Sequence, residues 1–258
     1  MYETGHSMNI VFNLESVFRG FSAEEALFTL GESGFDVFER WTIRRDELVP
    51  LQQAMTNTGT RIKACCPECF ILNDPGKRSQ YTQSLTRAVE TIQYLGGDQL
   101  ITQVGADTGL PREVQHHAIV DGLRSVKGLL EREHITLLIE PLNTVKDHPG
   151  YYLTSSNEGF EIIREVDSPN VRLLYDVYHQ LHMGEDVLSV IRENLPLIGH
   201  FHIAGFPARD EKMFDGFDYR LFFDYINAQR IDIPVGIELF PSDRQAILPL
   251  LRSLAEFV

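Results

Sequence analysis

The stretch "REVQHHAIVDGLRSVKGLLEREHITLLIEPL", residues 112–142, passes from one periodicity to another with no linker between them. Up to His134 apolar residues recur at three- and four-residue spacing, as in a helix lying on a sheet. From Thr136 the run "TLLIEPL" is short and apolar, as in a buried strand. A helix feeding directly into such a strand is the joint of a parallel α/β architecture.

Outward from this joint the alternation recurs along the whole chain. Strand patterns are read at "NIVFNL" (9–14), "FDVFERW" (35–41), "RIKACCP" (61–67), "QLITQVG" (99–105), "TLLIEPL" (136–142), "VRLLYDVYH" (171–179), "IGHFHIAG" (198–205) and "VGIELF" (235–240), each followed by a helical segment. Helix signals agree with the pattern: "SAEEALFTLGESG" opens on Ser22 with acids in its first turn and closes at Gly34, and Ser155 to Glu158 has the spacing of a capping box. Eight β-then-α units in 258 residues predict one α/β domain, a single (β/α)8 TIM barrel, for which about 250 residues is typical. An open doubly wound sheet has the same periodicity, which does not show whether the first and last strands pair. The domain is read as residues 8–258. "MYETGHS" (1–7) precedes Met8, where patterning begins, and is read as a disordered extension or cloning remnant.

Composition narrows the function. Acidic residues outnumber basic ones, 37 to 23, for a net charge of −14, so the basic footprint of a nucleic-acid binder is missing and a small-molecule substrate is expected. No apolar run reaches the roughly 20 residues that span a bilayer, and a basic, apolar leader is not seen, which gives a cytoplasmic expectation with no membrane partner. Cys65, Cys66 and Cys69 form no second pair for a zinc site and are read as reduced thiols without assigned function. His116 and His117 are read as a solvated pair on a helix.

In a parallel barrel the chemistry sits at the C-terminal strand ends, and there the last four strands carry Glu140, Asp176, His202 and Glu238. An acid ending an apolar strand is paired, metal-bound or exposed at the mouth, because a buried unpaired carboxylate costs several kcal/mol. Three carboxylates and one imidazole suit one divalent metal ion, manganese or magnesium first, zinc or cobalt next. Each residue taken alone also fits a salt bridge or loop hydrogen bond. Alternation along "GHFHIAG" (199–205) turns His200 and His202 to one face; His202, nearer the strand end, is the ligand candidate, and His200 lies one pleat deeper as a core or supporting histidine. His179 is suited to polarising a carbonyl oxygen and Arg209 to orienting a carboxylate or hydroxyls, with a packed ring and a loop salt bridge as alternatives. "DHPGYY" (147–152) is placed as a loop over the mouth, and Glu39 and Trp41 as wall residues.

At these residues the chain resembles the xylose-isomerase-like TIM barrels of the sugar isomerase and epimerase superfamily, and within it the hydroxypyruvate isomerase group. The matching blocks are "GFDVFE", "IEPLNT" with "PGYYL", "LLYDVYHQ", "IGHFHIA" with "PAR", and "GIELFP". The resemblance implies that Glu140, Asp176, His202 and Glu238 hold the metal, that Glu140 and Glu238 are the catalytic acid/base pair, and that His179 and Arg209 contact substrate. It implies an isomerase of carbohydrate metabolism that moves a proton between adjacent carbons of a small hydroxy-keto acid, such as hydroxypyruvate or a 2-oxo-tetronate, through an enediolate. A homo-oligomer is also common among similar barrels. Two departures stand out. The group carries glutamine at the position of His202, where histidine is more like the ketose 3-epimerases, and its "RHEPGTGE" loop is here "RDEKMFDGFD". A ketose 3-epimerase is therefore the second reading; an endonuclease IV-like DNA repair enzyme and a non-catalytic sugar-binding barrel are further ones.

Overall fold

The computed structural model describes residues 8–230 and 232–257; the expected 1–7 extension lies outside the described residues. Eight parallel strands, β1 (Ile10–Asn13), β2 (Val37–Arg40), β3 (Arg61–Cys65), β4 (Gln99–Thr102), β5 (Thr136–Ile139), β6 (Val171–Asp176), β7 (Ile198–Ile203) and β8 (Val235–Ile237), pair in sequence order and close into a barrel. Closure is made by β1 on β8, with Ile10 opposite Val235 and Phe12 opposite Ile237, which excludes the open-sheet alternative. After β1 come helices α1 (Leu14–Val17) and α2 (Ala23–Glu32). The next three crossovers carry α3 (Leu48–Thr58), α4 (Arg78–Leu95) and α5 (Arg112–Glu133). Beyond β5 follow α6 (Ser156–Val166), the pair α7 (Val177–His182) and α8 (Val187–Asn194), α9 (Tyr219–Gln229) and, after β8, α10 (Ile247–Leu254).

Side-chain parity sorts the strands into two layers. Leu137, Ile139, Leu173, Tyr175, Phe201 and Ile203 belong to the large core under the helices. Ala64, Ile101, Leu138 and Leu174 form a separate small cluster inside the barrel. Two residues beyond Leu138 and Leu174 along the same face stand Glu140 and Asp176, so the inner row rises from apolar packing to acids at the C-terminal mouth.

Local signals hold with three changes. The Ser22–Glu25 capping box forms in both directions. At α6 only half of the expected box forms: Ser155 accepts the Glu158 N–H, while the Glu158 side chain turns instead to Tyr152 and Arg112. The sixth strand stops at Asp176, not His179, because the Asp176 carboxylate accepts the His179 N–H at 3.1 Å and caps α7. His116 is not solvated as its neighbour His117 is: its Nε2 lies 2.8 Å from Glu165 and its Nδ1 3.4 Å from Glu158. Among the described residues no helix is long and apolar enough to cross a membrane.

Candidate active site

Four adjacent strand ends converge over the inner row. Glu140 follows β5, Asp176 ends β6, His202 is the last inward residue of β7 and Glu238 follows β8. One ligand atom from each lies within 4.8 Å of every other, and all four side chains are buried. His202 Nδ1 stands 3.5 Å from Glu140 Oε1 and 3.5 Å from Glu238 Oε2. Neither His202 Nδ1 nor Glu140 Oε1 has a hydrogen-bond partner. Buried polar atoms left without partners are unfavourable as they stand, and three carboxylates with one imidazole are a donor set that fits a divalent cation.

Three of the four side chains, those of His202, Glu238 and Glu140, are held from behind. Glu39, on the inner face of β2, is fully enclosed; its Oε1 lies 2.9 Å from His202 Nε2 and its Oε2 3.3 Å from His200 Nε2. Asn13 Nδ2 donates to the same Oε1 at 3.3 Å, while Asn13 Oδ1 is taken by the Ser16 N–H, so the amide orientation is fixed. Gln99 Oε1 meets His200 Nδ1 at 2.8 Å, and Gln99 Nε2 donates to the Gly199 carbonyl. A carboxylate 2.9 Å from Nε2 favours a proton on that nitrogen of His202, which leaves Nδ1 to face the other carboxylates. Glu238 is gripped by Trp41 Nε1 at 2.6 Å and by Arg209 Nη2 at 2.5 Å; Gln103 Nε2 donates to Glu140 Oε2 at 3.3 Å.

Burial and charge compete at these groups. Burial would raise the Glu238 carboxyl, but Arg209 and His202 beside it hold it well below the usual carboxylate range. At Glu39 burial is likewise outweighed, by His202 and His200, and the carboxyl is held at about 2. Asp176 goes the other way, pushed up by burial that Arg209 and His202 only partly offset. Burial opposes protonation of His202, yet Glu39 and Glu238 raise it well above the ordinary value; a cation at Nδ1 would take the place of that proton. Burial, reinforced by Arg209, lowers His179 to about 3 and keeps its ring neutral.

A cavity of about 480 Å³ opens above the set, with Glu140, Glu238, His179 and Arg209 in its lining. Trp41, Phe70 and Phe240 supply apolar wall, and His148 and Tyr151 close the side under the loop after β5. Arg209 sits at φ 62° in the loop after β7, its guanidinium 5.2 Å from the Tyr178 ring centre, and its Nε has no partner.

The family model for xylose isomerase-like TIM barrels matches residues 29–256. The chain belongs to the xylose isomerase-like TIM barrel family. Within the family it is 30% identical over 168 residues to the hydroxypyruvate isomerase of Escherichia coli (strain K12), covering 65% of each chain. It is 29% identical over 170 residues to a 2-oxo-tetronate isomerase of Cupriavidus necator, covering 65% of this chain and 64% of that one. The chain thus spans just under two thirds of the length of these relatives. A solved structure of a family 2 AP endonuclease from Brucella melitensis superposes with a TM-score of 0.90 at 21% identity, covering 96% of this chain and 98% of that one. That likeness is one of fold.

Set in this xylose isomerase-like barrel, the six residues singled out in the sequence are brought to one place. Glu140, Asp176, His202 and Glu238 meet as a cluster, and His179 and Arg209 reach it from the helix and loop that follow β6 and β7. Trp41 does line the cavity, but Glu39 does not belong to the wall: within 3.3 Å of two imidazoles, it lies beneath His202. Asn143 and Gln103 escaped the sequence reading. For Asn143 a signal was present, an asparagine opening the turn "NTVKD", the residue type that hydrogen-bonds its own downstream backbone.

Proposed function

We propose that the chain is a metal-dependent isomerase of a small hydroxy-keto acid of the hydroxypyruvate or 2-oxo-tetronate kind, with Glu140 and Glu238 as its acid/base pair. The observation that carries this reading is the placement of those two carboxylates on either side of His202 Nδ1, each 3.5 Å away, at the floor of a cavity sized for a small substrate.

Glu140, Asp176, His202 and Glu238 would hold a divalent cation, which would supply Lewis acidity toward the substrate. One glutamate takes the proton from the carbon beside the carbonyl. The C–H pair becomes the C=C bond of an enediolate, and the carbonyl oxygen takes up the negative charge. Neutral His179 offers its Nε2–H to that oxygen. Collapse re-forms C=O at the neighbouring carbon, whose hydroxyl proton moves to the first oxygen, and the glutamate pair returns the abstracted proton to the former carbonyl carbon, so that both carboxylates end as they began. Arg209 holds Glu238 ionised through Nη2 and has its Nε–H left for a substrate carboxylate, which is why an acid is preferred.

A ketose 3-epimerase is the second reading, and the imidazole of His202 in the ligand set favours it. In that case the proton returns to the carbon it left, on the opposite face. Incubation of the manganese-loaded protein in heavy water with a panel of keto acids and a panel of ketoses separates the two. Deuterium is expected beside the carbonyl of a three- or four-carbon keto acid, with rearranged product. Glu140→Gln and Glu238→Gln should each lower turnover by at least about 10²-fold with the fold intact. Exchange confined to ketoses would replace the first reading with the second; turnover undiminished in both variants would remove the acid/base pair from either.

A further inference from the structure

Asn143, four residues beyond the end of β5, is fully buried, and each of its side-chain atoms is committed. Its Oδ1 accepts the N–H groups of Lys146 at 3.0 Å and Asp147 at 3.1 Å, closing the turn that starts the loop over the mouth. Two backbone donors fill the two lone pairs, so Oδ1 cannot be exchanged with the amide nitrogen by a flip. Nδ2 therefore faces its other neighbours, Asp147 Oδ2 at 2.8 Å and His179 Nδ1 at 2.6 Å. An amide nitrogen only donates. His179 Nδ1 must then be the accepting nitrogen, and in the neutral ring the proton resides on Nε2.

The other edge of the ring points at the ligand cluster. Nε2 is buried, has no partner, and lies 3.5 Å from Asp176 Oδ2. The ring plane is fixed by edge-on contacts with His148 at 5.3 Å and Tyr178 at 5.4 Å between centroids. We propose that Asn143 is a positioning residue that locks His179 in its Nε2–H tautomer, so that the site presents a donor rather than a lone pair to the substrate oxygen. The proposal rests on the isomerase or epimerase reading of the site, since either reaction builds charge on that oxygen; the opposite tautomer would set a lone pair against it.

The test is Asn143→Asp combined with Asp147→Asn. The pair keeps an oxygen for the two backbone amides and avoids facing carboxylates, but places an acceptor against His179 Nδ1, which draws the ring proton there. Long-range ¹H–¹⁵N spectra of protein labelled at histidine nitrogen, recorded at pH 8.5, read the tautomer directly and without substrate. The native protein should show a bare Nδ1 and a protonated Nε2 at His179, and the double variant the reverse. With the best substrate of the panel, kcat should fall about 10²–10³-fold with KM within a few-fold and manganese affinity unchanged. A proton on Nδ1 in the native protein overturns the proposal. So does a variant with reversed tautomer and undiminished kcat. If the double variant does not fold, the native spectrum still decides the tautomer. If no hydroxy-carbonyl compound is turned over, the isomerase reading fails while the spectrum decides the tautomer separately.

Discussion

Glu39 and Glu238 are both buried carboxylates at strand ends, and their neighbours give them different work. Glu238 lines the cavity, tied to Trp41 and Arg209 with one edge toward His202 Nδ1. Glu39 has no access to the cavity; it stands between His200 and His202 and takes the Nε2 side of the latter. The charge on Glu39 makes His202 a better donor at Nδ1 and stops it from turning, as carboxylates behind metal-bound histidines do. Glu39→Gln keeps the shape and removes the charge. Manganese affinity measured by titration calorimetry should fall about 10–100-fold, and the metal-free protein should melt at a lower temperature at neutral pH, because the carboxyl that His202 and His200 hold at about 2 favours the folded chain while it is ionised. Equal affinity would mean that His202 needs no support from β2. A composition of acids and histidines was visible in the sequence, but which of them touch was not: Glu39 and Trp41 are two residues apart, and only the bulge in pairing between β2 and β3 at Phe38 and Glu39 accompanies the inward turn of Glu39.

At the scale of elements, parity explains why the last four strands could be read so directly. Each carries its functional residue one pleat above a packing residue: Glu140 over Leu138, Asp176 over Leu174, His202 over His200 and Glu238 over Gly236. The two-residue period is a local property, so strand ends and inward faces were legible. What stopped each strand was less so, because capping by Asp176 involves a side chain that also reads as the end of a strand. Gly236 shows how tightly the elements fit. A Cβ there would come within 2.5 Å of His202 Cδ2 and 2.9 Å of His200 Nε2, so β8 leaves its inner face bare to accept the two rings of β7. Gly236→Ala should therefore push His202 from its place, costing about 1–3 kcal/mol in urea unfolding and weakening manganese binding along with it. Stability and affinity both at native levels would show that the rings have room to spare.

For the whole molecule, closure of β1 on β8 makes the site a property of the complete ring. The candidate ligands come from four successive strands, their support from β1, β2 and β4, and no part of the chain holds the set alone. Eight repeated units made that ring legible, while contacts across it, such as Gln99 with His200, depend on which side chains meet after closure. The same closure would couple a bound metal to stability. Four buried acids, Glu39, Glu140, Asp176 and Glu238, gather around few positive groups, and a divalent cation bound by the folded chain would offset their repulsion. Since the unfolded chain lacks the site, metal at about 100 times its dissociation constant adds about 2.7 kcal/mol. For a chain of this size that raises the melting temperature by about 5–10 °C. Protein stripped with a chelator should melt in a single transition, because the barrel is one closed unit, and manganese should move that transition upward with the logarithm of its concentration. Asp176→Asn should abolish most of the rise while retaining the single transition. A melting temperature indifferent to manganese, magnesium, zinc and cobalt alike would remove the cation from this site, and two separate transitions would deny that residues 8–258 form one cooperative barrel.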